Sequence, residues 1–541
     1  MTKKSLIQSA AILSVAGLIC KFLGAAFRIP LANWIGSEGM ANYSPAYQLY
    51  AFLLVIATAG VPVAISRMTA ERNAVGEYRE AIRVFKISRA LMFGIGLLGA
   101  LILFFFSDTI AELINVPGSS LSMKATALAL VLVPVMSAYR GLFQGMQNMK
   151  PTAISQIIEQ LFRVIFGLLL AALCMKGLMF AADYDIYERG AAGGCFGASA
   201  GSIGGLGIIM VIYLLNRKTI KNRIDNDTHT YVEPAGDIMK KIIAIAVPIS
   251  IGSAILPIVN LTDSAVVVTR LMDSGFDQVT AKTMFGQLTG FAQPLISFPQ
   301  VFMQAIVLSI VPMVAAAKKL GDLDGVKSNS VLSLRMASII AIPCSVGLIV
   351  LAKPALLLLY PAQQEDAIAA VPCMQVLAIG FIFSGLVAAM TGIMQGLGKQ
   401  NYPVINLAIG VVVKIIVTWC LTVVKAINIV GAAAGTMCAF IVAAALDYIC
   451  VRKFTGIRVP IKLTVIKPLF SAVVMGIAVK LSYVALAHIA GNGVSTVASI
   501  LVGVAVYGLM ILKTHAIYRE ELLAIKGGTK LVSICDKLKL W

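Results

Sequence analysis

The chain has 541 residues, is 59% hydrophobic and only 13% charged, and carries a formal charge of +19. Apolar runs of about 20 residues recur to its end, which excludes an ordinary soluble domain. The runs are too long, and alternate too little, for an outer-membrane barrel. The expected fold class is therefore all-α: a polytopic membrane protein.

In chain order the runs predict fourteen spans: 7–35, 43–68, 88–114, 121–146, 152–177, 191–215, 240–268, 284–317, 330–360, 367–397, 402–424, 428–451, 463–488 and 494–514. The first holds Lys21 and Arg28, seven residues apart and so on one face of a helix. A cation at the centre of a lone spanning helix costs roughly 2.5–3.5 kcal/mol, so that face must meet other helices or a wet cavity. Between spans two and three, Glu71 to Lys86 reads as a basic amphipathic segment lying on the membrane surface. Glycines 193, 197, 201 and 205 step through span six every four residues, a ladder that lets helix backbones touch. The tail, 515–541, alternates basic and apolar residues and suits the cytoplasmic interface.

Basic residues crowd alternate loops, including Arg72, Arg79, Arg83, Arg217, Lys218, Lys318, Lys319, Arg452 and Lys453. The positive-inside rule then puts both termini in the cytoplasm. Topology accounts for most of the net charge, and nucleic acid is not an expected partner. The nine cysteines show no metal-ligand spacing and the three histidines form no metal-binding pair.

The chain also repeats itself. Gly141, Gln144, Gly145 and Pro151 return as Gly392, Gln395, Gly396 and Pro403, and Arg163 returns as Lys414. Val61-Pro62 returns as Val311-Pro312, and the Gly190 to Gly194 motif as Gly431 to Gly435. This divides the chain into a six-helix lobe over 1–225, a second over 226–453, two added helices over 454–514 and the tail over 515–541. An even number of spans per lobe relates the lobes by an axis along the membrane normal, with a substrate site between them.

The charges left inside spans are mostly cations. Lys21, Arg28, Arg270 and Lys414 are the hardest to dismiss, with Arg163 and Arg67 beside them. Arg67 lies near a span end, where it can snorkel to headgroups. Glu159 and Arg163 are four apart and can neutralise each other. Asp263 and Arg270 repeat the seven-residue spacing of Lys21 and Arg28 in span seven. A basic cavity of this kind suits an anion, and arginine grips phosphate through paired hydrogen bonds. The alternative is an internal salt-bridge network through Asp263. Tyr43, Tyr47 and Gln48 in span two and Gln293 in span eight are candidate cavity groups, equally able to stitch helices together.

The run Lys21-Phe22-Leu23-Gly24 through Arg28, followed by Gly36, Gly39, Met40 and Ala41, resembles the MurJ-type lipid II flippases. These belong to the multidrug/oligosaccharidyl-lipid/polysaccharide exporter superfamily, and the likeness is greatest to its SpoVB/YtgP-like Gram-positive branch. The acidic residue that the family carries after the Gly-Met-Ala loop is absent, the chain reading Asn42-Tyr43-Ser44-Pro45. The resemblance implies a transporter rather than an enzyme, in a bacterial cytoplasmic membrane. It implies that the protein moves an undecaprenyl-diphosphate-linked precursor, lipid II, to the outer leaflet by alternating access. The alternatives are a flippase for another lipid-linked oligosaccharide or a cation-coupled drug antiporter. Lys21 and Arg28 map onto the family's two span-one arginines. No cofactor is expected beyond sodium, for which Asp263 and Asn406 are weak candidates, or the membrane potential. Expected partners are the lipid-linked glycan, membrane lipids and cell-wall synthesis proteins.

Overall fold

The computed structural model describes residues 3–178, 184–227 and 233–517. The amphipathic tail expected over 515–541 lies outside the described residues from 518 onward. Among the described residues all regular structure is helical. A bilayer demands this, because helices satisfy every backbone polar group within one segment.

The first elements are α1 (Lys3–Thr58), α2 (Val61–Ala74), α3 (Tyr78–Phe105), α4 (Ser107–Leu113), α5 (Ser120–Gly145), α6 (Lys150–Met175), α7 (Ile186–Leu215) and α8 (Arg217–Asp225). They are followed by α9 (Ala235–Asp273), α10 (Gln278–Gly286), a π-helical turn over Gln287–Ala292, α11 (Gln293–Lys319), α12 (Leu323–Val350), α13 (Ala352–Leu359) and α14 (Gln364–Ala369). The last are α15 (Val371–Gly396), α16 (Asn401–Thr422), α17 (Val430–Thr455), a second π-helical turn over Lys462–Ile466, and α18 (Lys467–Lys513).

Ten helical stretches among the described residues are long and apolar enough to cross a membrane. The chain is an integral multi-pass membrane protein. Large apolar side chains such as Phe93, Leu98, Leu101, Phe104 and Phe105 on α3 stand exposed, which water would penalise and lipid does not. Two of the stretches change direction at glycine. Gly36 breaks α1 with φ 63° and ψ −171°, and Gly491 breaks α18 with φ 69° and ψ 171°. That backbone region is essentially closed to residues with a Cβ. Gly36 falls in the gap the sequence left between spans one and two.

The surface segment expected over 71–86 is instead divided. α2 ends at Ala74, the chain turns through Gly76 at φ 87°, and α3 runs unbroken from Tyr78 to Phe105. The basic residues of this stretch therefore flank a tight turn between two helices.

The chain forms two compact units, Met1–Gly290 and Phe291–Trp541. The repeat read from sequence begins its second half at 226, whereas α9 and α10 pack with the first unit. Close backbone approaches explain why. A Cβ on Gly60 would collide with the Ala246 carbonyl of α9, and one on Gly286 with the Ser37 carbonyl of α1.

Within each unit the small-residue ladder does the same job. In the first, Gly193 packs on the backbone of Leu170 and Ala171, and a Cβ on Gly197 would lie 2.8 Å from the Arg163 carbonyl oxygen. In the second, Gly431 packs on Leu421 and Thr422, and a Cβ on Gly435 would lie 2.9 Å from the Lys414 carbonyl oxygen. Both contacts land on the residue that the sequence repeat pairs, Arg163 with Lys414.

Candidate functional site

A buried charge cluster of the first unit is built by α1, α5 and α6. Glu159 of α6 is buried and bridges two arginines. It accepts from Arg140 of α5 at 2.9 Å and from Arg163, one turn along its own helix, at 3.2 Å. Arg140 also donates to Ser155 Oγ at 2.8 Å. Arg163 in turn donates to the Tyr47 hydroxyl at 3.0 Å. The i,i+4 neutralisation expected for Glu159 and Arg163 is present, but the carboxylate is shared with a third group.

Tyr47 lies in an aromatic stripe along α1. Its ring stacks on Tyr43 at 5.6 Å with an interplanar angle of 11°, and tilts against Tyr50 at 5.8 Å. Positions 43, 47 and 50 share one helix face by spacing. The guanidinium carbon of Arg28 lies 5.9 Å from the Tyr47 ring centroid, and that of Arg163 lies 6.0 Å from it. Arg28 has no carboxylate partner among the described residues. Three guanidiniums against one carboxylate leave the cluster with two formal positive charges. Lys21 is exposed on α1 and makes no ion pair among the described residues.

Gln48 accepts a hydrogen bond from Ser264 of α9, tying α1 to the helix that carries Asp263. Asp263 is itself buried. Arg270 stands in the last turn of α9 and pairs with Asp273 at 2.7 Å, so a fixed carboxylate already meets it. Arg67 is exposed on α2 and pairs with Glu71 at 2.8 Å.

In the second unit Lys414 is buried in α16. Asn406, one face up the same helix, donates to Asp447 of α17 at 2.8 Å and contacts Cys450 Sγ at 3.5 Å. Gln293 begins α11, half-buried. No group of three or more metal-ligating side chains occurs among the described residues.

Sequence reasoning missed two things. Arg140 completes the Glu159 bridge from a different helix, and nothing in local spacing pairs residues nineteen apart. Glu233, in the linker before α9, is clamped between Arg72 of α2 and Lys241 of α9. Burial pushes the Glu233 carboxyl up, but its bonds to Lys241 and Arg72 outweigh that and hold it below the usual carboxylate range. Arg79 adds a backbone bond to Asp227 from the same linker at 2.8 Å.

These features define a class: integral membrane proteins of many helices with a basic, partly uncompensated cluster where the first helix meets α5 and α6. The sequence profile described as "Polysaccharide biosynthesis protein" matches residues 6–318, more than half of the chain, and the chain belongs to that family. A second profile, "Lipid II flippase MurJ", matches residues 239–504. The chain is 27% identical over 493 residues to the lipid II flippase MurJ of Bacillus subtilis (strain 168), covering 88% of each protein. It is 25% identical to the stage V sporulation protein B of the same organism, covering 85% of this chain and 86% of that one. The solved structure titled "Lipid II flippase MurJ, inward closed conformation" shares the fold, with a TM-score of 0.69 at 17% identity, over 92% of this chain and 98% of that one. The expected resemblance to the MurJ-type flippases therefore holds.

Proposed function

We propose that the chain is a flippase that carries an undecaprenyl-diphosphate-linked cell-wall precursor, lipid II first among them, from the inner to the outer leaflet of a bacterial cytoplasmic membrane. One observation carries this reading. Lys21 and Arg28 stand in a membrane-crossing helix without a carboxylate partner among the described residues, while Arg140 and Arg163 nearby share the carboxylate of Glu159. Uncompensated cations inside a membrane are expensive and are retained where a charged passenger meets them. Arg28 presents a fork that fits a phosphate, and Lys21 a mobile point charge. The names of the relatives favour the same passenger class.

The lipid tail needs an apolar track. The second unit offers a groove of about 570 Å³ between α11, α12 and α18, lined by Phe298, Phe302, Leu351, Met475, Val504 and Tyr507. No bond is made or broken in the cycle; the headgroup is exposed first to one side and then to the other. With the cell interior negative, about 2.3 kcal/mol per charge per 100 mV favours moving an anion outward, so the membrane potential is the proposed driving force. Sodium coupling through Asp263 and Asn406 has less support, since Asn406 already serves Asp447. A drug antiporter would want open carboxylates, and Glu159 is committed to two arginines.

The proposed topology has fourteen spans with both termini cytoplasmic. The glycine breaks in α1 and α18 and the lengths of α9 and α11, 39 and 27 residues, support that count. The bias of basic residues supports the orientation.

The test is genetic. In cells depleted of their own lipid II flippases, expression of this chain is expected to restore lipid II in the outer leaflet. Lys21→Ala and Arg28→Ala are expected not to. Failure of the intact chain to restore it, or full restoration by the double variant, would discard the reading.

A further inference from the structure

We propose that Tyr47 is a positioning residue for Arg28. It links the uncommitted guanidinium to the Glu159 network and holds it ready for the diphosphate of the passenger. This rests on the reading of Arg28 as an anion ligand.

Two guanidiniums approach one ring. Arg28 and Arg163 lie 5.9 and 6.0 Å from the Tyr47 centroid, and like charges so placed repel each other. Two features hold the arrangement together. The ring face attracts cations, and Glu159, shared with Arg140, offsets part of the charge of Arg163 at 3.2 Å. Arg163 is further fixed by its hydrogen bond to the Tyr47 hydroxyl at 3.0 Å. Tyr47 itself has little freedom, stacked on Tyr43 and packed against Tyr50. Tyr43 in turn meets Phe27, the neighbour of Arg28 in sequence, at 6.3 Å.

The consequence is a division of labour among the arginines. Arg140 and Arg163 share the carboxylate of Glu159 and serve as scaffold. Arg28 receives only the ring, whose attraction to a cation is weaker than that of a carboxylate. An arriving phosphate therefore displaces no ion pair. An aspartate or glutamate at position 47 would pay in advance for Arg28 and block the passenger; an aliphatic residue would leave the guanidinium unplaced. Tyrosine satisfies both needs, with its hydroxyl serving Arg163 and its face serving Arg28.

The experiment measures binding of radiolabelled undecaprenyl diphosphate to the purified full chain in lipid nanodiscs. Arg28→Ala is expected to abolish saturable binding. Tyr47→Phe, which keeps the ring, is expected to stay within about threefold of the parent. Tyr47→Leu is expected to lose about tenfold in affinity, and so is Tyr47→Gln, which keeps an acceptor for Arg163 but has no ring. In an Arg28→Lys background, which keeps a weaker but measurable binding, adding Tyr47→Leu is expected to cost much less than tenfold, a non-additivity that a merely structural role would not produce. Parent-like affinity in whichever ringless variant folds, alongside lost binding in Arg28→Ala, would overturn the role of Tyr47 and leave the proposed function standing. Parent-like binding by Arg28→Ala would instead remove the anion site on which both rest.

Discussion

At the residue scale the bridge of Glu159 to Arg140 and Arg163 sets the terms. All three side chains are about nine-tenths shielded. Removing one partner of a buried ion pair strands the other charges, at a cost of about 3–5 kcal/mol. Glu159→Gln is therefore expected to lower the thermal unfolding midpoint of the purified protein markedly. Lys21→Ala, at an exposed and unpaired position, is expected to leave it almost unchanged. Equal midpoints for the two variants would refute this account of the network. Lys21, Arg28 and Arg163 were legible in the sequence because any charge is conspicuous in an apolar run. Which of them is free was not. The pairing of Glu159 with Arg140 spans two helices, and only the fold brings them together. The Arg270–Asp273 pair was within reach, since residues three apart share a helix face.

At the scale of elements the glycines decide which helices can touch. A Cβ on Gly197 would press on the Arg163 carbonyl and on Gly167, and one on Gly435 on the Lys414 carbonyl and Thr418. Gly197→Ala and Gly435→Ala are each expected to cost about 1–3 kcal/mol through overpacking. Gly207→Ala, where nothing lies within 4 Å, provides the control in the same thermal assay. The four-residue spacing announced these contacts in advance.

The Glu233 clamp was not announced, because it joins a linker to helices more than 150 positions away in the case of Arg72. Its pH behaviour follows from the direction of the shift. The carboxyl is held below its usual range, so the clamp is intact above that range and is lost as the pH falls through the lowered value. Glu233→Gln is expected to speed hydrogen exchange in the last turn of α2 and the first turns of α9 at neutral pH. The parent protein should show that speed only after acidification to below the ordinary carboxylate range. Slow exchange in the variant at neutral pH would show that the clamp carries no weight.

At the scale of the whole molecule the proposed cycle moves net negative charge outward. At 100 mV the field then favours the outer leaflet by about 2.3 kcal/mol per charge, roughly a fiftyfold bias. Dissipating the potential in proteoliposomes is expected to slow the appearance of lipid II on the positive side about tenfold or more. A rate indifferent to the potential would transfer the driving force to a coupling ion.

What the sequence determined by itself was the solvent and the all-helical class of the fold. Unbroken apolar runs demand helices in lipid, glycine marks where those helices turn or touch, and the first run advertises Lys21 and Arg28 because hydrocarbon leaves a charge nowhere to hide. Tertiary structure alone decided how the charges are shared. Glu159 serves two arginines from two helices, Tyr47 stands between Arg28 and Arg163, and α9 packs with the first unit. The reason is physical: burial and periodicity are local properties that a sequence carries openly, whereas the partner of a buried charge is chosen by which helices come within about 3 Å of each other's side chains, and that is settled only when they pack.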